Sequence, residues 1–237
     1  YEDTMNYYEL TPSPLTGRVA AIEAHADDAA AMMSSALLSA RIQGATLYGV
    51  TATDGQWANK RRGFDDIVSG RQVEAQRGWR DLGVAPARQK LLSFEDGTLS
   101  QPTNVLKFGR YLTDFALGHD INTFVTMGDF GGDAHPDHIA SHHAALLAQS
   151  VIRHYRDAPL TVLGLSESVG DLEIPVVPDH KIRLLGHYAS QFEIASAERA
   201  PHGWSRFGNY AISAASLREL TAYSREIFEA EHYHVST

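Results

Sequence analysis

RVAAIEAHADDAA, residues 18–30, decides how the chain reads. Its first seven positions are small and apolar apart from Arg18 and Glu23, which suits a short buried strand. AHADD at 24–28 breaks the run with a polar turn, and the Ala- and Leu-rich stretch 29–43 then predicts a helix. TLYGVTAT at 46–53 supplies a second strand, ending at Asp54-Gly55, a turn pair. Outward from this unit the alternation continues. Helical spacing covers 67–82 with Gly83 as its cap, followed by a strand at 90–94 and a helix at 104–117. A strand at 122–127, a Gly-rich loop, a helix at 136–150 and a strand at 160–165 complete the series. From 179 onward the chain reads as a helix followed by irregular and helical segments.

The expected fold class is α/β: a single-domain, Rossmann-like, mostly parallel sheet with helices on both faces. The whole chain, 1–237, forms one domain in this reading, with its core at about 18–191 and the C-terminal segment packed on it. In such a fold the active site lies at the C-terminal ends of the strands.

The 237 residues carry 43% apolar side chains and a formal net charge of −9. That is enough to build a core, and the acidic balance argues against nucleic acid as a partner, because it repels phosphate. Lys60-Arg61-Arg62 is too short to form a basic patch. The absence of cysteine excludes disulfides, iron–sulfur clusters, thiolate zinc sites and Cys nucleophiles. No apolar run of about 18 residues predicts a membrane span. The first eight residues do not resemble a signal peptide, and the expected location is cytoplasmic; the first residue is Tyr, not Met, so a leader could precede it.

Two clusters carry chemistry. His25, Asp27 and Asp28 follow the first strand, and His135, Asp137 and His138 follow the fourth. His25 and Asp28 are three apart at a strand-to-helix turn, so one turn aims both at a single point. His135 and His138 share a helix face, with Pro136 suited to the first helical position. The positive end of that helix disfavours imidazolium, which keeps both rings available as ligands. Two imidazoles and a carboxylate form a ligand set familiar from hydrolytic zinc, with positions open to water and substrate. Asp27 is then a spare carboxylate beside the metal, the type of base a metal-activated water needs.

AHADD (24–28) with GDAHPDHIA (132–140) resembles the paired signatures of the LmbE-like, or PIG-L, family of zinc-dependent N-deacetylases, typically AHPDDE and HPDH. TDG at 53–55, RQVE at 71–74 with DLGV at 81–84, EDGTL at 95–99 and HYASQ at 187–191 are similar to further family segments, although Tyr188 stands where the last has His. The first motif also has Ala26 for the usual Pro and Ala29 for the usual Glu.

The resemblance implies that His25, Asp28 and His138 ligate zinc, with Fe2+, Mn2+ or Co2+ acceptable to the same donors. It implies Asp27 as general base, His135 as oxyanion partner, and Asp137 as the residue that orients His135. It places Arg71 and Asp96 on sugar hydroxyls. The expected function is removal of an N-acetyl or other N-acyl group from an amino-sugar-containing small molecule or glycoconjugate. Alternatives are an amidase on a non-sugar or thiol-conjugate amide, and a weakly active binding or regulatory member. A homo-oligomer is compatible with all three.

Elsewhere, His142 and His143 suit solvated helix positions better than a second metal. Trp57 and Trp204 could stack on a sugar or anchor packing. His232 and His234 read as a tag-like or surface feature, with Glu231 folding over the pocket as the alternative. Met32 and Met33 read as core. Glu23 is odd for a buried strand and suits either a partner to the site or an edge-facing position. No GxGxxG follows the first strand, which disfavours a nucleotide-binding module.

Overall fold

The computed structural model describes residues 15–57, 66–157, 159–166, 170–223 and 229–236. The Lys60-Arg61-Arg62 triplet and the first eight residues lie outside them. In chain order the elements are β1 (Arg18–Glu23), α1 (Asp28–Met32), α2 (Ser34–Ile42), β2 (Thr46–Thr53), α3 (Ile67–Leu82), β3 (Gln89–Phe94), α4 (Pro102–His119), β4 (Thr123–Met127), α5 (Gly131–Ala134) and α6 (Pro136–Ile152). There follow β5 (Thr161–Ser166), β6 (Leu172–Pro175), α7 (Pro178–Leu185), β7 (Ile194–Ser196), β8 (Ser205–Phe207), β9 (Tyr210–Ile212), α8 (Ala214–Tyr223) and β10 (Ala230–Ser236).

The main sheet has seven strands in the order β3-β2-β1-β4-β5-β10-β6. β3 through β5 in that order are parallel, and β10 runs antiparallel to both of its neighbours. Alternation along β1 shows how the sheet is covered. Val19 and Ala21 pack under α2, α3 and α7, whereas Ala20 and Ile22 pack on the other face under α4 and α6. Both faces are therefore buried, and the strands read as nearly continuous apolar runs. The chain turns one way from β1 to β2 and the other way to β4, so a crevice opens at the C-terminal ends of β1 and β4.

The expected α/β class holds, and the differences have local causes. The helix expected over 29–43 is two helices, broken at Met33, whose φ of −123° is not helical. α2 restarts at Ser34 because Glu231 accepts from the N–H groups of Ser35 and Ala36 at 3.0 and 2.9 Å. The chain after 185 is not merely irregular and helical: it forms a three-stranded antiparallel sheet, β7-β9-β8, and returns to the main sheet as β10. The AEHYHV tail is thus an inner strand, with Glu231 and Tyr233 buried and His234 exposed. Glu23 is not edge-facing either, since β1 lies mid-sheet between β2 and β4.

Candidate metal centre and active site

The turn after β1 sets His25 and Asp28 against each other. Thr53, at the end of β2, donates its hydroxyl to the Ala24 carbonyl at 2.8 Å and so pins the residue before His25. Asp28 Oδ2 accepts from the His25 backbone N–H at 2.8 Å, closing the turn on itself. On the β4 side, His135 caps α6, and Pro136 opens it, as the sequence predicts. Gly131, at a φ of +67° that favours glycine, brings its carbonyl within 2.8 Å of His138 Nδ1.

These contacts fix the tautomers. A carbonyl can only accept, so His138 Nδ1 carries the proton and Nε2 keeps a lone pair. His25 Nε2 faces carboxylates, Asp96 Oδ1 at 3.1 Å and Asp137 Oδ2 at 3.8 Å, which leaves the lone pair on Nδ1. The two lone-pair nitrogens then meet at 3.0 Å. Asp28 adds a third acceptor, Oδ1 at 3.2 Å from His138 Nε2 and Oδ2 at 3.6 Å from His25 Nδ1. With both rings neutral, acceptors from three residues converge on one region, an arrangement that suits a cation between them. Donors about 2.0–2.1 Å from a tetrahedral zinc lie about 3.3 Å apart, in the middle of the observed 3.0–3.6 Å. The donor set fits a divalent metal.

Electrostatics agree. Burial pulls His25 down, but the Asp28 charge and hydrogen bonds to Asp137, Asp28 and Asp96 outweigh it and hold its pKa well above the ordinary value. For Asp28, burial raises the pKa, while the neighbouring His138 and His25 pull it well below the usual carboxylate range. A field that favours imidazolium here favours any cation.

His135 stands close to the same point, its ring centroid 4.7 Å from that of His25 and 4.9 Å from that of His138. Its Nδ1 accepts from the Asp137 backbone N–H at 3.2 Å, so Nε2 is the protonated nitrogen of the neutral ring. Among the described residues, both clusters with metal-ligating geometry include His25: one adds His135 and His138, the other Asp96 and Asp137. His142 and His143 belong to neither.

Arg71, Asp96 and Asp137 each have partners within the protein. Arg71 is 3% exposed, and its Nη2 donates to Asp27 Oδ1 at 2.6 Å, while Nε and Nη1 have no hydrogen-bond partner among the described residues. Asp96 uses Oδ1 on His25 and Oδ2 on the Trp57 backbone N–H at 3.3 Å. The Asp137 carboxylate takes the Gly97 N–H at 2.7 Å and faces His25; the group that it offers His135 is its backbone N–H. The Trp57 side chain is 69% exposed at the rim, and Trp204 is half-buried beside β8. Sequence reasoning assigned no role to Glu74, which accepts from the Ser190 N–H at 2.8 Å and also from its hydroxyl, tying HYASQ to α3. RQVE thus serves both ends of one network: Arg71 on Asp27 and Glu74 on Ser190.

The sequence pattern of the PIG-L family, GlcNAc-PI de-N-acetylase, matches residues 20–149, more than half of the chain and both clusters. The chain belongs to the PIG-L family. As a member it is a hydrolytic N-deacetylase, in a family named for an N-acetylglucosamine conjugate. No curated protein sequence matches it. Among solved structures it is similar to N,N'-diacetylchitobiose deacetylase from Pyrococcus horikoshii, at 16% identity over 92% of this chain and 83% of that one, with a TM-score of 0.67. Teicoplanin deacetylase in a zinc-inhibited form is similar at 19% identity over 73% and 84%, with a TM-score of 0.58. A 4-carboxy-2-hydroxymuconate hydratase from Pseudomonas putida is similar at 16% identity over 94% and 96%, with a TM-score of 0.60. At these identities the likeness shows the fold alone, and the hydratase shows that the fold does not fix the reaction. No helix among the described residues is long and apolar enough to cross a membrane.

Proposed function

We propose that this PIG-L member is a zinc-dependent hydrolase that removes an N-acetyl group from an amino-sugar-containing small molecule or glycoconjugate. The observation that carries the reading is the convergence of His25 Nδ1, His138 Nε2 and an Asp28 carboxylate at 3.0–3.6 Å. These three would hold the ion, zinc or another divalent metal. The chemistry such an ion supplies when bound is polarisation of a water and of the amide carbonyl.

The chain's own residues account for the proton movements. Asp27 accepts a proton from the attacking water as the new C–O bond forms, and returns it to the nitrogen as the C–N bond breaks, leaving a free amine and acetic acid, whose remaining proton is lost to solvent or to the amine. Arg71 positions Asp27 through the 2.6 Å ion pair. His135 points a protonated Nε2 toward the oxyanion that develops on the amide oxygen. Asp96 and Asp137 orient His25, and the Asp137 N–H orients His135. The two unpartnered nitrogens of Arg71 leave it able to take a substrate oxygen as well. We read residues 1–237 as one domain, since β10 closes the sheet against β5 and β6.

The test pairs metal content with acetate release from a panel of N-acetylated amino sugars. About one metal per chain and turnover are expected, and Asp27→Asn should keep the metal while losing about 10²–10⁴-fold in rate. A metal-loaded protein that releases no acetate from any member of the panel sinks the substrate assignment. Failure to take up metal sinks the mechanism.

A further inference from the structure

His25, Asp27 and Asp28 all sit between the end of β1 and the first turn of α1, and one side chain fastens both ends of that segment. Glu23 ends β1, is 0% exposed, and accepts from the Ala29 N–H through Oε2 at 2.9 Å. Its Oε1 accepts from the Thr51 hydroxyl at 2.5 Å, and Thr51 Oγ1 in turn accepts from the Trp79 indole N–H at 3.3 Å. The indole lies across Gly49, where a β-carbon would fall 2.7 Å from the ring.

The first N–H groups of a helix need an acceptor, and the residue at the cap usually provides it. Here the cap residue is Asp27, and it makes no side-chain cap bond, because its carboxylate is turned to Arg71. Asp28 is committed to His25. Glu23 reaches across six positions to do the capping and leaves both aspartates free. The family motif has Glu where this chain has Ala29; in this chain a carboxylate arrives at the same backbone position from β1.

A buried carboxylate beside two others is costly. An apolar side chain at 23 would remove that burial cost but leave the Ala29 N–H and the Thr51 hydroxyl without their acceptor. The turn also lacks the Pro ring that fixes φ in the typical motif, since position 26 is Ala.

We propose that Glu23 is a positioning residue, a clasp that holds His25, Asp27 and Asp28 in ligating and reacting geometry by capping α1 in place of Asp27. The proposal rests on the metal reading above. It is tested with full-length protein titrated with Co2+ in parent, Glu23→Leu and Glu23→Gln forms, recording affinity, the visible band of bound cobalt, and rate. Loss of a group that orients ligands typically weakens metal binding about 10–100-fold. Glu23→Leu should show that loss with a shifted cobalt band in protein that is still folded at the temperature of the titration. Glu23→Gln, which keeps one acceptor oxygen, should fall between. Parent affinity and an unshifted band in both variants overturn the clasp. If the Leu variant does not fold, the Gln variant decides by the same two readouts. A parent that binds no cobalt overturns the metal reading and the clasp with it, so the two failures are distinguishable.

Discussion

Two buried polar clusters lie on this sheet, and they are built on opposite plans. At the junction of α7, β10 and α2, Glu231 receives the Ser35 and Ala36 N–H groups, the Tyr233 hydroxyl at 3.0 Å and Lys181 Nζ at 3.3 Å. Cation, anion and donors all match, and the cluster is complete as it stands. At the ends of β1 and β4, by contrast, His25 Nδ1, His138 Nε2 and Asp28 turn acceptors toward one another. With both rings neutral, like faces like, an arrangement that suits a positive ion. Burial alone does not separate the two, since both are largely buried. What separates them is the balance of donors and acceptors: the matched cluster joins parts of the fold, and the mismatched one suits a cation.

The largest effect expected from this contrast is at the mismatched cluster. His138→Ala removes the central acceptor, and the variant should retain no stoichiometric metal and turn over at background. Added Zn2+ should stabilise the parent, by about 2.7 kcal/mol at a hundred times Kd, and leave the variant unmoved. Equal metal-induced shifts in melting temperature for parent and variant would break the comparison. At the matched cluster the pattern reverses. Lys181→Met leaves Glu231 buried without its cation and should cost about 3–5 kcal/mol in denaturant unfolding. Metal affinity in that variant should match the parent's; a tenfold loss would show that the two clusters are coupled.

The matched cluster was also the less legible one. The alternation of β1, β2 and α3 is plain because each buries one kind of periodicity. His25, Asp27, Asp28, His135 and His138 stand out because their spacing suits convergence and little else. Lys181 and Glu231 lie 50 positions apart in segments with no shared motif, and β10 carries a charge at an inward position, which hides its strand pattern. Arg71, Asp96 and Asp137 were legible as members of the site but not in their contacts. Which acceptor a guanidinium meets depends on how α3 docks on the turn after β1, and periodicity does not encode that. Glu23 was visible only as an anomaly. Its reason appears once Asp27 is seen to leave α1 uncapped.

The smallest effect lies beside the matched cluster and tests whether its surroundings are as settled as its core. His180 precedes Lys181, and burial together with the Arg183 charge pushes its pKa down to about 4. Asp81 and Glu231 face it and pull the other way, while Arg41 adds to the depression. Arg183 Nη2 lies 3.0 Å from His180 Nδ1, a contact that the neutral ring accepts and imidazolium does not. The folded state therefore stays unprotonated where the unfolded chain has already taken up a proton. Between about pH 6.5 and 4 the unfolded state binds more protons, so stability falls as pH drops through that window and levels off below it. The loss is on the order of 3 kcal/mol, and His180→Gln should flatten that part of the stability profile without altering metal affinity. A profile equally steep in the variant would assign the acid sensitivity to another depressed imidazole, such as His142, held below its ordinary value by burial and the His143 charge; the Asp carboxylates of the metal cluster, themselves held low, lose their contribution only below that window.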